Sequence, residues 1–177
     1  MPDKSEIGDA VLEYWYGHAD EADRLRPLFA ALLVRDDDVR SRKMYPLHVT
    51  CSAAAVRPDG QVLEIFHRRH REWLFPGGHI DAEDETLAAT ALRELAEETG
   101  VVAARTADLG PFDIHMHHVA ANPDKNEPAH QHADFVYAVL LDIDPEVTLK
   151  TDEVVYYRWV VPRHSYLRAL RLLRKAG

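Results

Sequence analysis

The apolar positions of this chain change their period between its first and second quarters. From Lys4 to Leu33 they recur at helical spacing, with Ile7, Val11, Leu12 and Trp15 on one face and then Leu25, Leu28, Phe29, Leu32 and Leu33 on another. Two helices are predicted, the first ending near Gly17-His18 and the second running from about Asp20 to Leu33. Pro27 either kinks the second or marks its start, because proline removes a helical donor. The charged run from Arg35 to Lys43 reads as a connector. Beyond it the spacing becomes that of strands. Leu47 to Val56 is an almost unbroken small and apolar run, Pro58-Asp59-Gly60 is a turn, and Val62 to His67 alternates, so a hairpin is expected. Further strands are expected from Phe112 to Val119, from His130 to Leu141 and from Glu153 to Val161, and a basic amphipathic helix over 163–175.

The stretch from Trp73 to Val101 organises the rest. It holds a Pro-Gly-Gly turn, a polar loop and one acid-rich helix, expected to begin near Asp84 or Glu85 with Asp84 as its cap. Leu87, Ala88, Ala91, Leu92 and Leu95 form its apolar face, and Gly100 supplies the left-handed stop. Glu94, Glu97 and Glu98 follow three- and four-residue spacing, which gathers three carboxylates into one patch. Such acids repel one another and bring a bare protein no stability. A hard divalent cation changes that balance, since Mg²⁺ takes oxygen ligands together with substrate phosphates. Arg93, four residues before Glu97, is placed to hold the patch in shape.

This stretch resembles the signature box of the Nudix hydrolases, G-x5-E-x7-R-E-U-x-E-E-x-G-U, with U a bulky aliphatic. Glu85 is followed by seven residues and then by Arg93-Glu94-Leu95-Ala96-Glu97-Glu98-Thr99-Gly100-Val101. One departure stands before the helix: six residues rather than five separate Gly78 from Glu85. The resemblance implies an α/β fold, a Nudix-like α/β/α sandwich with a mixed β-sheet. A helical extension over 1–45 would precede a hydrolase domain over 46–177. It implies hydrolysis of a diphosphate linkage in a nucleotide or nucleotide-like metabolite, with Mg²⁺ as cofactor and Mn²⁺ as the alternative ion. Carried over by position, Glu97 and Glu98 are the principal metal ligands, and Glu94 is a third ligand or a base acting through water. The Gly77 carbonyl completes the shell and Arg93 orients the glutamates. Glu85 bonds to the loop, a direct metal contact being the lesser option. A general base outside the box is sought among Glu127, Asp134, Asp152 and Glu153. Two other readings compete: different chemistry on the same scaffold, such as isoprenoid diphosphate isomerisation or a biosynthetic phosphatase, and a nucleotide-sensing module without turnover.

Composition narrows the partners. The formal net charge of −9 argues against wrapping a nucleic-acid polymer, which calls for a basic surface, and leaves a small phosphorylated substrate open. The single cysteine, Cys51, excludes an internal disulfide and reads as a core thiol. With no long apolar span and no signal-like segment, a cytoplasmic protein is expected, and a homodimer is the guess for its assembly. In this acidic chain the run His67-Arg68-Arg69-His70-Arg71 stands out; Arg68 could meet substrate phosphate, or the run could be a solvated hairpin end. Strand alternation puts His115 and His117 on one face, and likewise His130, His132 and Asp134. Paired strands would bring four imidazoles together, as substrate-pocket lining, a transition-metal site or plain packing. Tyr45, Phe135, Tyr137 and Trp159 are the aromatic candidates for stacking on a base, against core packing for each.

Overall fold

The computed structural model describes residues 1–34, 38–103, 106, 110–123, 126–149 and 152–162. The helix expected over 163–175 and part of the 35–43 connector lie outside these. Two helices open the chain, α1 (Lys4–Gly17) and α2 (Ala22–Leu33), joined by a 3-10 turn at Ala19–Glu21. Asp3 caps α1 by accepting from the Glu6 amide at 2.8 Å. Pro27 lies inside α2 and does not start it. Then come β1 (Leu47–Val56), β2 (Val62–His67), β3 (Glu72–Leu74), β4 (Gly77–His79), α3 (Leu87–Thr99), β5 (Asp113–Val119), β6 (His130–Leu140) and β7 (Val154–Val160). The short strand β4 overlaps the expected Pro-Gly-Gly turn, and β3 lies just before it, where no strand was expected.

The sheet is mixed, in the order β3-β2-β1-β6-β5, with β4 paired to β1 and β7 to β2. The β1–β6 pair is parallel and ten residues long, from Leu47↔Gln131 to Val56↔Leu140. β1 is buried at every position, as expected of a strand covered on both faces. Its odd-numbered side chains Val49, Cys51 and Ala53 join one core with Phe135 and Tyr137 of β6, Ile7 and Val11 of α1, Leu25 and Leu28 of α2, and Leu87, Ala91 and Leu95 of α3. Its even-numbered side chains His48, Thr50 and Ser52 point to the opposite face and are polar.

The helical extension is fastened to this frame by polar contacts as well as by packing. Tyr14 and Arg24 both hydrogen-bond Asp113 at the start of β5, and Arg24 also pairs with Glu21. Glu6 of α1 accepts from the Leu87 amide, the first residue of α3, at 2.8 Å. The α-amino group donates to the Ala82 carbonyl at 3.1 Å. The extension therefore touches the loop and helix that carry the acidic patch. No helix among the described residues is long and apolar enough to cross a membrane.

Candidate active site

Arg93 is the hub of the acidic helix. Its Nε and one terminal nitrogen donate to both oxygens of Asp84, at 2.9 and 3.0 Å, and the second nitrogen also reaches the His79 carbonyl at 2.8 Å. The remaining nitrogen donates to Glu94 at 2.9 Å and to Glu97 at 3.2 Å. Asp84 is buried and also accepts from the Asp81 amide and the Thr90 hydroxyl. Arg93 and these other donors hold the Asp84 carboxyl below its ordinary value, against burial, which pushes it up. Two expectations change here. The helix begins at Leu87 and its cap is Thr86, whose hydroxyl accepts from the Ala89 amide at 3.0 Å. Asp84 leaves the cap position because the guanidinium, nine residues on, takes its carboxylate in a two-pronged bond. Counted from Gly78, Asp84 closes a five-residue gap, while Glu85, exposed, keeps the seven-residue spacing to Arg93. The loop contact expected of Glu85 is made by Asp84, which accepts from the Asp81 amide and from Arg93.

The glycines of β4 bring the backbone against the carboxylates. A Cβ on Gly78 would collide with the Glu94 carboxylate, and one on Gly77 would meet the Cys51 carbonyl at 2.7 Å and Ser52 Cα at 2.8 Å. Only glycine permits both approaches. The Gly77 amide donates to Glu98 at 2.9 Å, and Glu98 is buried. Burial pushes the Glu94 carboxyl up, with Glu97 and Asp81 adding to the rise and Arg93 opposing it. A carboxylate buried beside other carboxylates and a glycine backbone is a donor set suited to a hard divalent cation. The three glutamates line one helix face without drawing three carboxylate oxygens within 4.8 Å. Among the described residues only His48, His130 and His132 bring three ligating atoms that close.

The histidines share the polar face of the sheet. His117 pairs with His132 and His115 with Asp134 across β5–β6. His48 lies beside His132 across β1–β6, and His79 opposite Thr50 across β1–β4. The convergent group therefore differs from the expected one. His115 is exposed, while His48 and His79, not anticipated from the sequence, enter the cluster. For His48 the signal was parity, since it stands two and four residues before Thr50 and Ser52 on the same face of β1; the three-residue β4 left none for His79. Asp134 accepts from the Thr50 hydroxyl at 2.9 Å and the Ser52 hydroxyl at 2.7 Å, and burial raises its carboxyl in spite of both. Ser52 is in turn the register partner of Gly77, so Asp134 is one side chain from the glycine strand.

Other candidates lie further out. Arg68 is exposed at the β2–β3 turn, where its amide bonds the Glu153 carbonyl at 2.9 Å. Glu127 is paired with Arg42 and Arg69, and Asp152 and Glu153 are exposed before β7. Phe135 and Tyr137 belong to the core, so neither can stack on a substrate. Trp159 carries the Arg57 guanidinium at 4.6 Å, while Tyr45 packs edge-on against His48 and His130. The Cys51 thiol is fully buried and raised by that burial, which makes it an inert core group.

Known proteins resemble this arrangement. Residues 46–174 match the NUDIX domain model. A probable DHNTP pyrophosphohydrolase of Lactococcus lactis subsp. cremoris is 31% identical over 124 residues, 70% of this chain and 72% of that protein. An RNA pyrophosphohydrolase of Caulobacter vibrioides is 35% identical over 116 residues, 58% of this chain and 64% of that protein. Among solved structures, a MutT NUDIX hydrolase from Burkholderia pseudomallei superposes with a TM-score of 0.52 at 26% identity, covering 71% of this chain and 96% of that one.

Proposed function

The chain belongs to the Nudix family and is a pyrophosphohydrolase of nucleotide-type substrates; from that premise we propose that it cleaves a diphosphate linkage in a small nucleotide or nucleotide-like metabolite, with Mg²⁺ held by Glu94, Glu97, Glu98 and the Gly77 carbonyl. The observation that carries this reading is the docking of α3 on β4, with Glu98 on the Gly77 amide and Glu94 against Gly78. When bound, the ion neutralises charge on the phosphate oxygens and lowers the pKa of attacking water. The protein supplies the positioning. Arg93, anchored on Asp84 and the His79 carbonyl, keeps Glu94 and Glu97 turned to one side. Asp134 is the best placed base outside the helix, because it faces the glycine strand through Ser52 while Glu127 is engaged by two arginines. A small molecule, and not a polymer, suits a chain of net charge −9.

The test is phosphate and pyrophosphate release with Mg²⁺ across nucleoside triphosphates, oxidised nucleotides, nucleotide sugars, dinucleoside polyphosphates, DHNTP and 5′-triphosphorylated RNA. Turnover of a small substrate that disappears in Glu97→Gln supports the reading. Undiminished turnover in that variant refutes the metal role of Glu97. Turnover of the RNA alone refutes the substrate class.

A further inference from the structure

The tightest group of ligating atoms among the described residues lies away from the acidic helix. His48, His130 and His132 each offer a ring nitrogen within 4.8 Å of the others, and all three are buried. Backbone carbonyls orient two of the rings. His48 Nδ1 lies 3.0 Å from the Met44 carbonyl, and His130 Nδ1 lies 2.7 Å from the Pro128 carbonyl. A carbonyl can only accept, so each Nδ1 carries the proton and each Nε2 presents a lone pair to the cluster. This is the outer arrangement that metal-bound histidines adopt, in which the second ring nitrogen donates to a fixed acceptor. His132 Nε2 sits 3.1 Å from His130 Nε2, and His79 Nε2 3.1 Å from His48 Nε2. Nitrogens at the usual 2.0–2.1 Å from a tetrahedral ion stand roughly 3.3 Å apart, so small movements would close the set.

Four imidazoles packed together are a poor structural choice. Each could be an aliphatic side chain at lower desolvation cost. Burial and mutual repulsion hold His48, His79 and His132 neutral, the form that binds metal. We propose that His48, His130 and His132 form a binding site for a divalent transition ion of the Zn²⁺ class, with His79 beside the remaining position. Neutral nitrogen donors select such ions over Mg²⁺ or Ca²⁺. Glu127 and Asp134 supply negative charge near the same end of the sheet, against Arg42. The site is distinct from the acidic helix but shares β4 with it: Gly77 and Gly78 serve the carboxylates and His79 the imidazoles.

The experiment uses the full chain, stripped with chelator and titrated with Co²⁺ in excess Mg²⁺, which fills carboxylate sites. One equivalent giving the strong visible bands of tetrahedral cobalt is expected. Glu97→Gln should leave this unchanged, and His130→Gln should weaken it by more than the roughly 100-fold that loss of an outer partner costs. X-ray absorption on the wild-type Zn²⁺ form should show three or more imidazole nitrogens, a readout that needs no variant to fold. Binding lost in Glu97→Gln but kept in His130→Gln, weak octahedral spectra only, or a shell of oxygens without imidazole would each overturn the site. Mg²⁺-dependent turnover stands or falls separately.

Discussion

The acidic helix and the histidine face meet along the three residues of β4, yet they are assembled in opposite ways. The acidic site is local: everything from Gly77 to Glu98 lies within one stretch, and Arg93 ties it together with charge-assisted bonds to Asp84, Glu94 and Glu97. The histidine face draws on four strands, with His48 from β1, His79 from β4, His117 from β5, and His130 and His132 from β6. It is held by packing and by bonds between neutral groups. One region keeps its charges by pairing them, and the other keeps its imidazoles neutral by burial. The two should therefore fail under different stresses.

Acid is the widest wedge between them. In the unfolded chain histidine titrates near 6.5, whereas folding depresses His117 to about 4, His79 to about 3 and His132 to about 2, all chiefly by burial. Their contribution is complete above the unfolded value and is lost as pH falls from there toward the folded values. Each adds up to about 1.4 kcal/mol per pH unit in that window. Asp84, also depressed, keeps its contribution until pH drops below the ordinary carboxylate value of 3.8. Denaturant midpoints of the chelator-treated protein should thus fall steeply between pH 7 and pH 5. A flat profile there would mean that the imidazoles do not stay neutral in the fold.

The converse break is Asp84→Ala. It leaves the Arg93 guanidinium without its two-pronged partner in a half-buried place, and a loss of about 3 kcal/mol is expected. Turnover should collapse with it, while Co²⁺ binding to the histidines survives at temperatures where the protein stays folded. Joint loss of both functions in folded protein would show that the two regions are one unit.

The same contrast explains what could be read from the sequence. The acidic patch, its arginine and the glycine stop follow from spacing within a single helix, and the family follows from the resemblance of that stretch to the Nudix box. Placing the cap was harder. Asp84 and Thr86 are both good capping residues two positions apart, and the choice was made by Arg93 pulling Asp84 inward, a contact that requires the loop to fold back. The histidine face depends on a parallel pairing of β1 with β6 across some eighty residues, which alternation within either strand cannot reveal. Strand parity does put His130, His132 and Asp134 on one side, but His48 joins them only through register. β3 and β4 are too short to leave any periodic signal.

Within the acidic region the two glycines separate positioning from stability. In Gly78→Ala the new methyl meets the end of the flexible Glu94 side chain, which can swing away. The expected result is a kcat loss of about 100-fold, the usual cost of an ångström of misplacement, with little change in melting temperature. In Gly77→Ala the methyl meets the β1 backbone instead, and overpacking of about 1–3 kcal/mol should show in the melt. An unchanged kcat in Gly78→Ala would remove Glu94 from the reaction.

The smallest effect concerns how the helical extension takes part. The first amides of α3 are satisfied from two sources, Thr86 next to the helix and Glu6 some eighty residues away. Thr86→Ala should cost about 1 kcal/mol, as loss of a helix cap usually does. Glu6→Ala should cost a similar amount, since it too strips an acceptor from the helix start. The two differ in what travels with the loss. Thr86 acts on α3 alone, whereas Glu6 also holds α1 against the start of α3. If the extension is only a cover, Glu6→Ala lowers the melting temperature and leaves kcat/KM unchanged at temperatures where the protein is folded. If α1 helps set the acidic helix, kcat falls in Glu6→Ala beyond its fall in Thr86→Ala at equal stability. The single carboxylate of Glu6 would then connect the extension to catalysis.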